Sequence, residues 1–442
     1  MALDLLIRNA LTVSHNGVQP ADVAVKGGIT VAIGDIGDVE ADEVIDANGL
    51  HLLPGVIDTQ VHFREPGAEA KEDLETGSRA AVMGGVTAVF EMPNTSPSTT
   101  TRKALQDKVA RGTDRMWCDF AFYVGASGKN ASRLDKLERE PGCCGVKIFM
   151  GSSTGDLLVP DDETLTKVLS NGSRRIAIHA EDEDRLNERK HLAETGGVAQ
   201  HPVWRDEETA LRATRRILEI ARKTGRRIHV LHVTTEEEMA LLAAYKDVAT
   251  VEATPQHLTL SAPECYEKLG TYAQMNPPIR DERHRIALWQ ALSVGIVDVI
   301  GSDHAPHEKE KKALDYPASP SGMPGVQTLL PLMLDHVNRG SLSLQRLVDL
   351  TSAGPNRLFN IAGKGRLAVG YDADFTVVDL KKKWIVEENW LQSKCGWSPF
   401  LGNQLTGKPV GTFVRGRKVM WEDHLADKAH GQPIKFQDTL KG

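Results

Sequence analysis

A short stretch near residue 60 ends in side chains that are suited to chemistry. An apolar run at residues 52–57 is followed by Gln60, His62 and Arg64, and then by a Pro-Gly turn. A buried strand that ends in this way places polar side chains at its tip, where catalytic and binding groups are commonly carried. We therefore expect residues 58–67 to form part of an active site.

Other short apolar runs downstream also end in polar side chains. These are Asn94, Lys147, His179, His232 and Asp303, with His304 and His307 after the last run. Imidazoles and a carboxylate with no thiolate among them favour a zinc-type hydrolytic centre, in which the metal lowers the pKa of bound water. Lys147 is the unusual member, because an ammonium group is costly to bury.

These side chains can meet only if the runs are parallel strands of one barrel. Eight runs are present, at residues 55–62, 86–92, 119–124, 145–150, 175–179, 227–233, 248–253 and 297–302. Amphipathic segments between them predict crossover helices at residues 74–83, 101–111, 161–169, 206–224, 235–245 and 281–292. The pattern predicts an α/β fold, a (β/α)8 TIM-like barrel over residues 55–365, whose active site lies at the C-terminal ends of the strands.

The two ends of the chain have a sequence pattern typical of short β-strands without crossover helices. Residues 1–54 contain short alternating runs separated by Gly, Asn and Asp, and similar runs return from residue 366 to the end at residue 442. We expect both ends to pair into one small composite β-sandwich beside the barrel.

Composition narrows the class of protein. The chain has 442 residues, 53 basic against 60 acidic, a formal net charge of −7 and five cysteines. It has no dense basic run that would indicate nucleic acid, no apolar run long enough to cross a bilayer, and no cysteine spacing typical of a disulfide framework. Because the first residues lack a basic region followed by an apolar core, we expect a cytoplasmic protein.

Five motifs together resemble those of the dihydroorotase family, of the long bacterial kind, in the amidohydrolase superfamily. They are His-Phe-Arg-Glu-Pro-Gly at 62–67, Glu-Met-Pro-Asn-Thr at 91–95, His-Val-Thr-Thr at 232–235, Met-Asn-Pro-Pro-Ile-Arg at 275–280 and Gly-Ser-Asp-His-Ala-Pro-His at 301–307. The resemblance covers nearly the whole chain. The first and last motifs are fairly specific, whereas the strand-tip histidines are shared with hydantoinases, allantoinases and ureases.

The resemblance implies a zinc centre of one or two ions. By carry-over, His62 and Asp303 belong to the first ion, and His179 and His232 hold the second. Lys147 would be carboxylated by carbon dioxide to a carbamate that bridges the two ions, which would remove the cost of burying its ammonium group.

Gln60 departs from the pattern, because the family usually has a histidine at this position. An amide oxygen is a poorer zinc ligand than an imidazole, although hard ions accept it. Three outcomes stay open: Gln60 coordinates weakly, the first metal position is loose or empty and the second does the work, or the protein is inactive.

The implied reaction is the reversible interconversion of L-dihydroorotate and N-carbamoyl-L-aspartate in pyrimidine synthesis, with Asp303 as the catalytic acid and base. Arg64 would anchor the substrate carboxylate, since its guanidinium offers a bidentate fork. The other predicted substrate contacts are Asn94, Asn276, His307, Ser321 and Gly322.

Two alternatives to this function stay open. One is another cyclic amidohydrolase, an allantoinase or a hydantoinase. The other is a catalytically silent subunit that partners aspartate transcarbamoylase. We also expect a small-molecule substrate, a homodimer or larger homo-oligomer, and either a mobile lid or an ordinary surface loop at residues 308–320.

Overall fold

The computed structural model describes residues 2–14, 16–151 and 157–440. Within these residues, seventeen strands form two sheets. In chain order the strands are β1 (Leu3–Ser14), β2 (Gly17–Lys26), β3 (Ile29–Gly34), β4 (Ala41–Asp46), β5 (His51–Pro54), β6 (Val56–Val61), β7 (Val86–Glu91), β8 (Asp119–Gly125), β9 (Cys143–Phe149), β10 (Ile176–His179), β11 (Ile228–Val230), β12 (Ala249–Ala253), β13 (Val299–Ile300), β14 (Phe375–Ile385), β15 (Gln404–Val414), β16 (Arg417–Trp421) and β17 (His424–Leu425).

Strands β6 to β13 form an eight-stranded sheet in sequence order, with parallel pairing throughout. The backbone N–H of His62 donates to the carbonyl of His304 at 2.7 Å, and Asp58 accepts from the backbone N–H of Ser302 at 3.0 Å. These bonds join the first strand to the last. The predicted (β/α)8 barrel is confirmed.

The helices lie mainly between the barrel strands. They are α1 (Leu74–Met83), α2 (Arg102–Gly112), α3 (Leu134–Leu137), α4 (Asp162–Leu169), α5 (Glu183–Arg189), α6 (His201–Trp204), α7 (Glu207–Thr224), α8 (Glu236–Ala243), α9 (Pro255–Thr259), α10 (Glu264–Leu269), α11 (Glu282–Ser293), α12 (Lys309–Lys312), α13 (Leu329–Asn338), α14 (Leu344–Val348) and α15 (Gly354–Phe359). A π-helical turn covers Asp349–Ala353, and short 3-10 turns cover Ala131–Arg133, Lys190–Glu194, Val198–Gln200, Gly270–Ala273, Glu388–Trp390 and Gln437–Thr439.

The six crossover helices predicted from periodicity are α1, α2, α4, α7, α8 and α11. Each begins after a side chain that accepts a hydrogen bond from the first turn: Asp73, Thr101, Asp161, Asp206, Thr235 and Asp281. Such caps satisfy backbone donors that have no partner inside the helix, so they fix where the helix begins. The apolar face of α7, with Ile217, Leu218 and Ala221, packs into the main core around the barrel.

The other strands form a nine-stranded sheet from both chain ends, in the order β17-β16-β15-β14-β5-β1-β2-β3, with β4 paired to β1. Apolar side chains of β1 and β2 share one core with Phe375 and Phe413 from the other end of the chain. The predicted composite β-sandwich is therefore confirmed, while the domain boundaries stay predictions.

Two apolar runs that the sequence presents as continuous are each divided in the structure. Residues 52–57 contribute first to β5 in the end sheet and then to β6 in the barrel, and the break falls at Gly55. A Cβ atom at Gly55 would lie 2.3 Å from Thr87 Oγ1, so only glycine allows this close approach. The second, at residues 410–420, is one of the alternating runs after residue 366, and it forms parts of β15 and β16, a hairpin that turns at Arg415 and Gly416 with φ of +44° and +72°.

The segment at residues 308–320 is tied down by hydrogen bonds. It contains the short helix α12, and Nζ of Lys312 donates to the carbonyls of Gln274 and Pro320, each at 2.9 Å. Thr271 donates to the carbonyl of Lys312 at 2.6 Å. The segment is thus attached at several points to the loop that carries Asn276. Within the described part of the chain, we find no helix that is both long and apolar enough to cross a membrane.

Candidate active site

One cavity of about 190 Å³ lies at the C-terminal ends of the barrel strands. It is lined by Gln60, His62, Arg64, Asn94, Lys147, Phe149, His179, His232, Asn276, Asp303, Ala305, His307, Ser321 and Gly322. Every site residue predicted from the sequence is in this set, although their roles stay predictions. The volume is small beside the ~300–1,000 Å³ of clefts that hold drug-sized ligands, so the cavity suits a small ring.

Asp303 is the centre of one half of the cavity. Its Oδ1 accepts from Nε2 of Gln60 at 3.0 Å and lies 3.2 Å from Nε2 of His62. The Nδ1–H of His62 donates to Oδ1 of Asn94 at 2.7 Å. The Nε2 lone pair of His62 therefore faces a carboxylate oxygen, an arrangement that two ligands of one cation adopt.

The other half of the cavity contains His179 and His232. Nδ1 of His179 lies 3.0 Å from Nε2 of His232, and Nε2 of His179 lies 2.8 Å from a carboxylate oxygen of Glu181. Because the Nε2–H of His179 donates to this carboxylate, Nδ1 of His179 carries a lone pair, and it faces His232. Burial holds the pKa of both imidazoles below the ordinary value, which keeps them neutral as metal ligands must be.

Glu181 is a residue of this site that the sequence did not predict. It receives a hydrogen bond from Arg205 at 2.6 Å as well as from His179, and it is fully buried. A carboxylate that holds the outer nitrogen of a metal-ligating histidine fixes the tautomer and orientation of the ring. The spacing of two residues after a strand-tip histidine was the available signal, since it places a second side chain on the same side of the chain.

Lys147 lies in β9 with its ammonium group enclosed. The side chain is 1% exposed, its Nζ lies 4.6 Å from the centre of the Phe149 ring, and among the described residues Nζ has no hydrogen-bond partner. Burial lowers the pKa of Lys147 to about 7, although Asp303 and Glu252 act in the opposite direction. Near neutral pH, Lys147 is therefore the neutral, nucleophilic amine in a substantial fraction of the protein molecules.

Four buried side-chain polar atoms of the cavity residues have no hydrogen-bond partner within the described ranges. They are Oε1 of Gln60, Nζ of Lys147, Nδ1 of His232 and Nδ1 of His307. Buried polar atoms are normally paired, so such a group needs an explanation, and an ion is one. Together with the facing lone pairs of His62 and His179, the donor set fits a divalent metal of the zinc type.

Arg64 and His307 form the rim of the cavity on one side. Nε of Arg64 donates to the carbonyl of Pro306 at 3.2 Å, and Nη2 lies 3.4 Å from Nε2 of His307. No carboxylate of the described residues lies within ion-pair distance of this guanidinium. Burial lowers the pKa of Arg64 to about 10, so it stays a cation at neutral pH.

Ser321 and Gly322 are already engaged by the protein. The carbonyl of Ser321 lies 2.9 Å from Nε2 of His307, and the N–H of Gly322 donates to the carbonyl of Gln274 at 2.9 Å. These bonds fix the loop at residues 321–322 beside the cavity. The predicted contacts of Ser321 and Gly322 with the substrate therefore concern other groups than the Ser321 carbonyl and the Gly322 N–H.

His304 follows β13 as Asp303 does, but it is turned away from the cavity. Its ring packs edge-on against Phe63 at 5.6 Å, its Nδ1 accepts from the N–H of Gly325 at 3.1 Å, and its Nε2 lies 3.3 Å from Glu72. It holds the strand tip in place rather than facing a ligand.

Positive φ values mark the site backbone. Arg64, His232 and Asp303 have φ of +66°, +36° and +44°. Residues with a Cβ avoid this region, and such strain is tolerated mainly at functional sites. In each case the unusual backbone directs a polar side chain into the cavity.

Two other groups of carboxylate and imidazole side chains in the described residues are close enough to share a cation, and neither includes a predicted ligand: Glu207, Asp281 and His284, and Asp119, Asp372 and Asp374. An ammonium group already occupies the second group, since Nζ of Lys364 lies 2.5, 2.8 and 2.6 Å from Asp119, Asp372 and Asp374. It links the barrel to the end sheet.

Comparison with known proteins gives a consistent picture. The model of the amidohydrolase family matches residues 51–419. A dihydroorotase of Methanosarcina mazei is 37% identical over 96% of each chain, and an allantoinase of Deinococcus radiodurans is 33% identical over 98% of this chain and 99% of its own. The structure of an L-hydantoinase (dihydropyrimidinase) from Arthrobacter aurescens superposes with a TM-score of 0.92 at 32% identity, over 98% of this chain and 99% of that one.

Proposed function

The chain belongs to the amidohydrolase family and is a cyclic amidohydrolase, and from that premise we propose that it is a dihydroorotase. It would interconvert L-dihydroorotate and N-carbamoyl-L-aspartate, a step of pyrimidine synthesis. The observation that carries the proposal is Arg64, a largely enclosed guanidinium at the cavity with no carboxylate partner among the described residues. Dihydroorotate has a carboxylate that takes no part in the reaction. Hydantoin and allantoin have no carboxylate.

Arg64 would seat that carboxylate. Its Nε is held by the carbonyl of Pro306, which fixes the plane of the guanidinium and leaves the outer nitrogens towards the cavity. A charge-assisted pair of this kind is strong and orients the ligand. Asn94 and His307 line the same cavity and would add further contacts to the substrate.

A metal centre is also proposed. Gln60, His62, Lys147, His179, His232 and Asp303 would hold one or two zinc ions. When bound, such an ion lowers the pKa of a water molecule and polarises the ring amide carbonyl. Asp303 would take a proton from the attacking water as the water oxygen bonds to the carbonyl carbon, and would give the proton to the ring nitrogen as the C–N bond breaks. In the reverse direction it would deprotonate the ureido nitrogen.

We further propose that Lys147 is carboxylated. The neutral amine adds to carbon dioxide and releases one proton, which gives a carbamate anion with two oxygen ligands. The support for this step is the enclosed Nζ without a partner among the described residues and a pKa lowered to about 7 by burial. The product would exchange a buried cation for an anion beside the histidines.

The test is turnover by the purified protein of L-dihydroorotate, hydantoin and allantoin, together with zinc analysis. We expect hydrolysis of dihydroorotate and little or none of the other two. Turnover of allantoin or hydantoin without dihydroorotate would refute the proposed specificity, and the 33% identical allantoinase and the similar L-hydantoinase structure make these the alternatives to test. A protein without zinc that turns over none of the three would be the silent subunit.

The partners follow from the same resemblance. The protein acts on a small molecule. A homodimer or larger homo-oligomer, association with aspartate transcarbamoylase and a cytoplasmic location stay proposals. Light scattering of the purified chain and co-purification with aspartate transcarbamoylase would test the first two of these.

A further inference from the structure

His201 lies beside the cavity but does not line it. It is the first residue of α6, and its side chain is fully buried. Its Nε2 lies 2.9 Å from Oδ1 of Asn276 and 3.0 Å from the carbonyl oxygen of Met275. Nothing in the predicted reaction uses this histidine, yet it contacts one of the predicted substrate residues directly.

The contact with Met275 determines the tautomer of His201. A carbonyl oxygen only accepts hydrogen bonds, so Nε2 of His201 must carry the proton. The Asn276 atom that faces the same Nε2–H must then be an acceptor, which is the amide oxygen Oδ1. The Nδ2 group of Asn276 is thereby the end of the amide that is left for the cavity, which Asn276 lines.

The opposite nitrogen of His201 contacts the segment at residues 308–320. The hydroxyl of Tyr316 lies 3.3 Å from Nδ1 of His201, and the two rings meet edge to face at 5.6 Å. Since Nδ1 of the neutral ring is an acceptor, the Tyr316 hydroxyl is the donor. Burial supports the neutral form, because it lowers the pKa of His201 to about 3 and raises that of Tyr316 to about 12.

We propose that Tyr316 and His201 are positioning residues that hold Asn276 as a hydrogen-bond donor to an acceptor oxygen of the ring substrate. The chain of donors runs from the Tyr316 hydroxyl to His201 Nδ1, from His201 Nε2–H to Asn276 Oδ1, and from Asn276 Nδ2 to the ligand. The proposal rests on the proposed function only in that Asn276 contacts the substrate. The proposed contacts connect the segment at residues 308–320, through Tyr316, to the substrate contact of Asn276.

The tautomer is tested without any substrate. In the protein labelled with ¹⁵N-histidine, two-bond ¹⁵N–¹H correlation spectra distinguish the Nε2–H from the Nδ1–H form, and the signal that disappears in His201→Gln identifies the residue. We expect the neutral Nε2–H tautomer at pH 7. An Nδ1–H tautomer or an imidazolium would overturn the proposal, and this result does not depend on which ring the enzyme hydrolyses.

The kinetic test asks whether Tyr316 acts through Asn276. Loss of one hydrogen bond is worth ~0.5–1.5 kcal/mol, so Tyr316→Phe should raise KM about 2- to 10-fold while kcat changes less. In an Asn276→Ala background the same substitution should have no further effect. Full additivity of the two effects would contradict the proposed chain of contacts.

Matched controls separate this effect from general damage. His191 is an exposed histidine of the 3-10 turn at Lys190–Glu194, and Tyr245 lies outside the cavity. His191→Gln and Tyr245→Phe should leave KM unchanged. If His201→Gln fails to fold, the wild-type spectrum, assigned instead by the shift of its signal in Tyr316→Phe, still decides the tautomer.

Discussion

The amide of Gln60 donates from Nε2 to Oδ1 of Asp303 across 3.0 Å. Because a carboxylate only accepts, this bond sets the orientation of the amide and leaves Oε1 as the other end, buried and without a partner among the described residues. Where the resemblance to dihydroorotases implies an imidazole nitrogen, this chain offers an oxygen whose orientation is set by the hydrogen bond to Asp303. Gln60 thus still offers a ligand atom at this position, but the atom is an amide oxygen instead of an imidazole nitrogen.

Gln60→His should strengthen metal binding at the first position, since an imidazole is a better zinc ligand than an amide oxygen. We expect zinc content per chain to rise in the variant after dialysis against a weak chelator, with His62 and Asp303 unchanged. Inductively coupled plasma mass spectrometry measures the stoichiometry. The control is Gln345→His, at an exposed position of α14. Equal zinc content in Gln60→His and the wild type would mean that this position holds no ion.

Lys147→Ala should lose zinc and activity together, because it removes the proposed carbamate from the centre of the donor set. A small carboxylate such as propionate fits the space left by the side chain and should restore part of both. The measurement is kcat/KM and zinc content with and without propionate. Lys167→Ala, an exposed change on α4, should behave as the wild type does. Full activity of Lys147→Ala without added carboxylate would exclude the carbamate.

Arg64→Met should weaken the binding of dihydroorotate far more than that of an uncharged ring. A hydrogen-bonded charged pair contributes ~1.5–3 kcal/mol, so KM for dihydroorotate should rise about 10- to 100-fold. Steady-state kinetics with dihydroorotate, and inhibition constants for hydantoin, supply the comparison. Arg212→Met on the exposed face of α7 is the matched control. Equal losses for both rings would refute the role of Arg64 as carboxylate anchor.

Much of the architecture could be predicted because local rules and the fold agree. Parallel strands covered on both faces are short apolar runs, and the crossover helices begin at Asp or Thr caps such as Asp73 and Asp206. Strand-tip side chains converge because the barrel brings all C-terminal ends to one face. This is why residues as distant in the chain as Gln60 and Asp303 could be assigned to one site.

The site contacts that the sequence did not predict depend on the exact positions of side-chain atoms and on irregular segments of the chain. His201 and Tyr316 lie on segments with no periodicity, and His201 meets Tyr316 and Asn276 only after the barrel has formed. The sequence places the start of the barrel at residue 55, but the reason why the chain passes between the two sheets at Gly55 is its contact with Thr87, a residue far along the chain. Position after a strand is not sufficient either, since His304 directly follows Asp303 and is turned towards Glu72 instead of the cavity. A sequence pattern also does not show which nitrogen of an imidazole ring carries the proton.

Glu181→Gln should weaken zinc binding without removing a ligand. The amide is close in shape to the carboxylate but stabilises the Nε2–H of His179 less, so His179 loses basicity and orientation. Such partners of metal-ligating histidines contribute about 10- to 100-fold in metal affinity. Competition with a chromophoric chelator measures the affinity. Glu188→Gln, an exposed change on α5, should have no effect, and the same affinity in Glu181→Gln would mean that the carboxylate does not tune the site.

Lys312 is a second buried lysine, outside the cavity. Its Nζ donates to the carbonyls of Gln274 and Pro320 and lies 5.8 Å from the centre of the Trp397 ring, and burial lowers its pKa to about 7. The bond to Gln274 connects the segment at residues 308–320 to the loop before Asn276. The charge state of one lysine therefore bears on how firmly that segment is held.

The free energy of unfolding should depend on pH through Lys312. Its pKa is about 7 in the folded chain and near the ordinary 10.5 when unfolded, so between these values the unfolded state binds more protons and stability rises with pH. The free-energy difference between wild type and Lys312→Met should then change in favour of the wild type, with a slope of up to about 1.4 kcal/mol per pH unit. Urea unfolding at pH 6, 7, 8 and 9 measures it. Lys311→Met, at an exposed position of the same helix, should follow the wild-type curve; a Lys312→Met difference that stays constant with pH would show that this lysine keeps its proton throughout.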